Sequence, residues 1–350
     1  MEHHRSVAAR TVMDVREYVV TARLPLQTFW FDDACRYVLD TSAIESLLAC
    51  LPEVLPKLDS HLSRIAAGFE DPPDKLADFL KERNRSRAWK LHKCISITAL
   101  VSVDVETLRA DNNGMEFDAD TVMSIAALFL AGAIEKLLLI SEIAYPGGVD
   151  ALAGTTIVND RIAQPIKEKG AFRTLHYPEP EDSCWPPVSH IGLSAVVDWL
   201  GRTGFLSGGL AITRIQRVLA AYTHVIGLTS QREGEVLFRA MQGLEAFYCE
   251  GTGDLRKQLA EKVELWLGPW KKKKNIVGHL YDLRSKFVHG SAHLEYWNNY
   301  DDVWEENEKG MTDFSAAVIF AVRLLIASLQ RCVQDGVTDF RWRYAIETLG

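Results

Sequence analysis

No two of the six cysteines stand in a CxxC spacing; Cys35, Cys50, Cys94, Cys184, Cys249 and Cys332 are scattered. That spacing fits neither a disulfide framework nor a cysteine metal cage. Reduced thiols of a cytoplasmic protein are expected, most of them packing as small apolar groups. No secretory leader precedes them, which points to the same compartment. Metal-ligand spacing is also missing from the ten histidines. His289 and His293 are four apart, but Gly290 interrupts a shared helical face. No metal and no cofactor is therefore expected.

Other absences narrow the reading further. The first 175 residues hold no phosphate loop, no GxGxxG and no nucleophile elbow, so that half does not announce a chemistry. Positive charge is scarce: 39 Lys and Arg face 47 Asp and Glu, for a net charge of -8. A protein that coats nucleic acid through bulk charge is disfavoured. The deficit is uneven, because 18 basic and 18 acidic residues balance from residue 205 onward. A long hydrophobic run is absent as well. Residues 121–134 carry no charge, but Glu135, Lys136 and Glu142 follow. A bilayer helix needs about 20 apolar residues in a row. The stretch 120–145 reads as a buried core helix, and no membrane partner is expected.

What is present suggests two domains in 350 residues. The expected fold is mainly α, with a C-terminal helical bundle preceded by an α+β N-terminal domain. Residues 1–175 form that first domain, a candidate for sensing or regulation through a trigger or partner protein. Alternating, β-branched patterns place strands at 14–24 and 94–104. The spacing predicts a helix over 42–68, bent at Pro52 and Pro56, and a second helix over 74–83. Between 176 and 190, four prolines fall within ten residues. Such a segment propagates neither helix nor central strand, and reads as a linker.

Residues 191–350 form the helical domain. Ile212, Ile215, Leu219, Tyr222 and Ile226 step by three and four, before Gly227. Ser230 with Glu233 makes a capping box for a helix that buries Leu237, Met241, Leu244 and Tyr248. Leu255, Leu259, Val263 and Trp266 mark a third, stopped at Gly268-Pro269. A fourth spans 272–289. A fifth, 312–334, is apolar nearly all round and should be central.

The fourth helix holds the most informative stretch, Tyr281-Asp282-Leu283-Arg284-Ser285-Lys286-Phe287-Val288-His289-Gly290. Ile276, Leu280, Leu283 and Phe287 make one apolar stripe, widened by Val277 and Val288. Arg284 falls inside it and needs a partner or a route to water. Glu245, at the edge of the stripe of the second helix, is the natural partner. Such a pair is either an inert ion pair fixing helix register or part of a site. As a buried structural pair it should cost about 3–5 kcal/mol when one member is removed. His289 lies roughly 140° round the helix from Arg284. Gly290 marks the helix end, where the partial negative charge favours a protonated imidazole. There His289 is either a cap on a free carbonyl or a general acid–base group.

These residues resemble the HEPN superfamily (higher eukaryotes and prokaryotes nucleotide-binding), and most closely its Apea-like branch. The family pattern is an arginine, a polar residue, three to five others and a histidine near a helix end. Here it reads Arg284-Ser285-Lys286-Phe287-Val288-His289, flanked by Leu280-Tyr281-Asp282-Leu283 and Gly290. Gly243-Leu244-Glu245-Ala246-Phe247 matches the branch's leucine-glutamate-alanine run. The resemblance covers roughly residues 205–335 and leaves out the first half. It implies a metal-independent endoribonuclease acting as a homodimer, with both motifs facing one cleft. His289 would assist attack of the ribose 2′-OH or protonate the leaving oxygen. Arg284 would stabilise the phosphate, Ser285 would help, and Glu245 would orient Arg284. RNA would be the substrate, in antiviral defence or toxin-like growth arrest. The alternative is a non-catalytic HEPN module, for dimerisation or nucleotide or RNA binding, serving as sensor or scaffold.

Charge around the motif pulls both ways. Lys271, Lys272, Lys273 and Lys274 open the fourth helix, where positive charge is unfavourable, so they and Lys286 are candidates to grip an RNA backbone. Alternatively, the run is a solvated loop. Residues 291–311 are strongly acidic and would repel a polyanion. Their Tyr296, Trp297, Tyr300 and Trp304 stack bases, cover the bundle or meet a partner. An autoinhibitory flap is one reading of that loop. Arg341-Trp342-Arg343-Tyr344 reads as interface or packing.

Overall fold

The computed structural model describes residues 14–31, 35–36, 41–70, 89–149, 151, 154–167, 185–227, 233–270, 276–291 and 308–343. The expected segment 74–83, the lysines 271–274 and the acidic stretch 292–307 lie outside them.

The first half is built on β1 (Val15–Phe31), whose side chains alternate between two environments. Val20, Ala22, Leu24 and Leu26 are buried, whereas Val19 on the opposite face is 62% exposed. This period of two makes a half-buried strand. β1 pairs with β4 (Trp89–Asp104) and β5 (Gly154–Val158) on its two sides. β3 (Leu62–Glu70) extends the sheet beyond β4, and β6 (Arg161–Ile166) beyond β5. The order is β3-β4-β1-β5-β6, antiparallel throughout, with β2 (Cys35–Arg36) against the far end of β1. At Gly154 a Cβ would lie 2.5 Å from the Arg23 carbonyl oxygen, so the approach of β5 to β1 requires glycine there.

Helices cover the buried face. α1 (Thr41–Leu58) contributes Ile44, Leu47, Leu51 and Leu55 to the core. A short α2 (Val105–Asp111) starts at Asp104, whose carboxylate accepts from the Glu106 and Thr107 amides. α3 (Ala119–Ala144) begins at the Asp118 cap and packs on the sheet.

The other side of α3 meets the second half of the chain. Tyr222 donates its hydroxyl to the Leu139 carbonyl. Gln330 donates to the carbonyls of Ile143 and Ser189, both at 2.7 Å. α4 (Leu193–Arg202) wedges beside α1, where Asp198 pairs with Lys57 at 2.8 Å. One hydrophobic core runs from the sheet through α3 into the bundle.

The bundle continues with α5 (Arg214–Gly227), α6 (Glu233–Tyr248), α7 (Leu255–Leu267), α8 (Ile276–Val288) and α9 (Glu308–Asp335). The protein is thus mainly helical, with an α+β first part. α9 is central: Ala321, Val322, Leu324, Leu325, Ile326 and Leu329 are fully buried against neighbours on several sides. Stretches of α3 and α9 are long and apolar enough to cross a membrane, but 50% and 78% of those windows are buried inside the protein. Trp342 is packing: its indole donates to the Phe247 carbonyl at 2.9 Å amid Phe247, Trp266 and Phe340.

Trp199 of α4 is fully buried and donates its indole to the Val337 carbonyl at 2.7 Å. Trp199→Ala is expected to cost about 3–5 kcal/mol, read as a lower urea midpoint at unchanged slope.

Several elements differ from the sequence expectation. The helix expected over 42–68 ends at Leu58, and the chain returns as β3. Asp59 turns it, accepting from the His61 amide at 3.0 Å, and pairing with β4 overrides the helical preference of Ala66-Ala67. β1 and β4 run beyond the expected 14–24 and 94–104, because their pairing continues with only one register shift. The helix whose apolar steps were expected from Ile212 starts at Arg214, leaving Leu210 89% and Ile212 78% exposed. Its start is a capping box: Thr213 accepts from the Gln216 amide at 3.2 Å, and Gln216 accepts from the Thr213 amide at 3.0 Å. The hairpin of β5 and β6 was not expected. Asn159 and Asp160, both with positive φ, form its two-residue turn.

Candidate functional site

α8 packs its motif against α6. Leu280 is fully buried, Leu283 and Phe287 are half-buried, and Val288 is 48% exposed. The apolar stripe is therefore narrower at its end than the sequence suggests, since the helix stops at Val288. The Phe287 ring sits on Gly234, where any Cβ would overlap it. That contact sets how closely the end of α8 approaches the start of α6.

Arg284 and Glu245 face each other. Arg284 Nη2 lies 3.8 Å from Glu245 Oε2, with the side chains 32% and 19% exposed. The guanidinium carbon is also 5.7 Å from the centre of the Phe238 ring, within cation–π range. At 3.8 Å the pair attracts but is too long for a hydrogen bond. Partial exposure and that separation lower the cost of removing one partner to about 1–2 kcal/mol, below the figure for a fully buried pair.

Two neighbours complete the cluster. Tyr281 is one turn before Arg284 on α8, and Cys249 follows Glu245 by four residues just past the end of α6. Burial holds the Tyr281 hydroxyl well above its ordinary pKa, and the Glu245 carboxylate adds to the effect. Burial, with Glu245 again second, pushes the Cys249 thiol up to about 11. Cys249 is thus a neutral thiol at physiological pH and no nucleophile. Its sulfur donates to the Leu255 carbonyl at 3.4 Å.

The end of α6 beyond Glu245 is tied down by Arg214. One guanidinium nitrogen donates to the carbonyls of Ala246, Phe247 and Cys249 at 2.9–3.0 Å, and another to Glu250 at 3.1 Å. Carbonyls that a helix end leaves over are satisfied by a cation there.

His289 stands at the end of α8. Gly290 has φ +69°, its amide donates to Phe287, and the Ser291 amide reaches back to Lys286 at 2.9 Å. This is a Schellman ending, which only glycine adopts without strain. The backbone therefore serves the last carbonyls, and the exposed imidazole does not have to cap them. Ser285 and Lys286 are exposed on the same final turn. The structure thus brings Glu245 and Arg284 together and sets Ser285, Lys286 and His289 at the open end of the same helix.

No family model matches the chain, no curated protein matches its sequence, and no solved structure matches its fold. Among the described residues, no three His, Cys, Asp or Glu side chains are grouped to hold a metal.

Sequence reasoning found the ion pair and missed Tyr281, Cys249 and Phe238 around it. Helical register carried that signal: Tyr281 and Cys249 are each one turn from a member of the pair. Chemically, the arrangement offers a partly exposed guanidinium for an anion and an open imidazole for proton transfer.

Proposed function

We propose that the chain is a metal-independent endoribonuclease of HEPN type, working as a homodimer in the cytoplasm. The supporting observation is the arginine held beside Glu245 on the same helix whose glycine ending leaves His289 uncommitted. An arginine with part of its fork exposed suits a phosphate diester. His289 accepts the proton of the ribose 2′-OH, and O2′ attacks phosphorus. The P–O5′ bond breaks, and the 5′-oxygen takes up a proton from imidazolium. The products are a 2′,3′-cyclic phosphate and a 5′-OH. Arg284 stabilises the charge that gathers on the phosphoryl oxygens, with Ser285 assisting.

In this reading Lys271 to Lys274 and Lys286 track the RNA backbone, and the α+β part responds to a trigger that licenses cleavage. Antiviral defence or toxin-like growth arrest is the setting that fits a nuclease joined to a sensor.

The test is cleavage of a mixed-sequence RNA in EDTA, with product ends read out. Cyclic phosphate and 5′-OH ends, and no cutting of the same sequence as DNA, are expected. DNA cleavage, or loss of activity in EDTA, overturns the reading. RNA binding without any cleavage, with the trigger supplied, would instead mark a non-catalytic module.

A further inference from the structure

Buried polar side-chain atoms normally have partners, and the exceptions call for an explanation. Among the described residues six such atoms have none: Nε of Arg109, Nε1 of Trp185 and of Trp270, Glu245 Oε1, Tyr281 Oη and Arg284 Nε. The last three belong to one cluster on two facing helices. Tyr281 supplies a donor, Glu245 an acceptor and Arg284 a donor, so the cluster is complementary. It is also held just short of closure, as the 3.8 Å separation of Arg284 and Glu245 shows.

We propose that Tyr281 is a positioning residue for Arg284, acting through Glu245. Donating to Oε1, the Tyr281 hydroxyl fixes the rotation of the carboxylate and keeps Oε2 turned to the guanidinium. The Phe238 ring limits the guanidinium from another side. Between them, carboxylate and ring decide where the free edge of the fork points. The hydroxyl and the carboxylate are already near enough for Glu245 to act on Tyr281. The hydroxyl is buried, and beside a carboxylate it keeps its proton, so that proton is available to Glu245. The expected consequence for catalysis rests on the ribonuclease reading; the link from Tyr281 to Arg284 does not.

The experiment has two arms on the full chain. In the first, the Arg284 Nε–H resonance is followed by 15N NMR, assigned by its loss in Arg284→Lys. Tyr281→Phe is expected to shift that resonance, and to shift it no further once Glu245→Gln is present. An Arg284 signal unmoved by Tyr281→Phe, or moved equally in both backgrounds, overturns the proposal whether or not the protein cuts RNA. In the second arm, Tyr281→Phe is expected to lower kcat about tenfold with KM for RNA unchanged. Combined with Glu245→Gln, the loss should not exceed the larger single loss. Multiplying losses, or a raised KM alone, would place Tyr281 outside the positioning path. An NMR response in a protein that cleaves no RNA would support the positioning role while overturning the ribonuclease reading. Should Tyr281→Phe unfold the chain, Tyr281→His, which keeps a donor, is expected to shift the Arg284 resonance less than Glu245→Gln does, and a shift as large overturns the proposal.

Discussion

His289→Ala is expected to lower RNA cleavage by about 10²–10⁴-fold while leaving the melting temperature unchanged. Both halves of that expectation come from the end of α8. The imidazole is exposed, and the last carbonyls of the helix are served by the amides of His289, Gly290 and Ser291. Removing the ring therefore leaves no buried group without a partner. A loss of rate is then a loss of proton transfer, and should appear in kcat rather than in RNA affinity. A variant that cuts as fast as the parent removes His289 from the mechanism. A variant that melts much earlier shows that the ring caps the helix after all.

Arg214→Ala is expected to be the most destabilising single change near the site, at about 3–5 kcal/mol. Arg214 is only 11% exposed, and its fork reaches three main-chain carbonyls at the end of α6. A charge-assisted hydrogen bond contributes about 1.5–3 kcal/mol, and although the Phe247 carbonyl keeps the Trp342 indole, those of Ala246 and Cys249 lose the guanidinium. Arg214→Lys should recover only part, since a single ammonium reaching the carbonyls leaves no second nitrogen for Glu250. Denaturant unfolding measures both. A cost below about 1 kcal/mol would mean that water replaces the guanidinium with little penalty. The loss should reach the site, because Glu245 lies within the last turn that Arg214 holds.

Periodicity made much of the bundle legible. Steps of three and four, glycine stops and a nearly all-apolar α9 placed the helices from α5 onward to within a few residues. The ion pair was legible for a related reason: Arg284 and Glu245 each interrupt an apolar face, and mutual pairing is the cheapest way to keep both. β3 was illegible because Leu62 to Glu70 contains Ala66, Ala67 and Gly68, with little alternation to oppose a helix. Its strand form comes from pairing with β4, which is distant in sequence. The β5–β6 hairpin was short enough to pass unnoticed, although Asn159-Asp160 is a turn pair of the kind that suits a tight reversal. The wider cluster escaped because each member looks ordinary alone. Tyr281 and Cys249 gain meaning only when two helices are laid face to face.

Helix α3 is a party wall. The sheet and α1 lean on one side of it, and α5, α9 and the Ser189 segment are fastened to the other through Leu139, Ile143 and Gln330. Neither room keeps its shape if the wall is taken down. A bundle separated from the first half would present a bare apolar flank to water, and a sheet unit alone would do the same. Any signal received at the sheet would reach the bundle as a push on shared masonry.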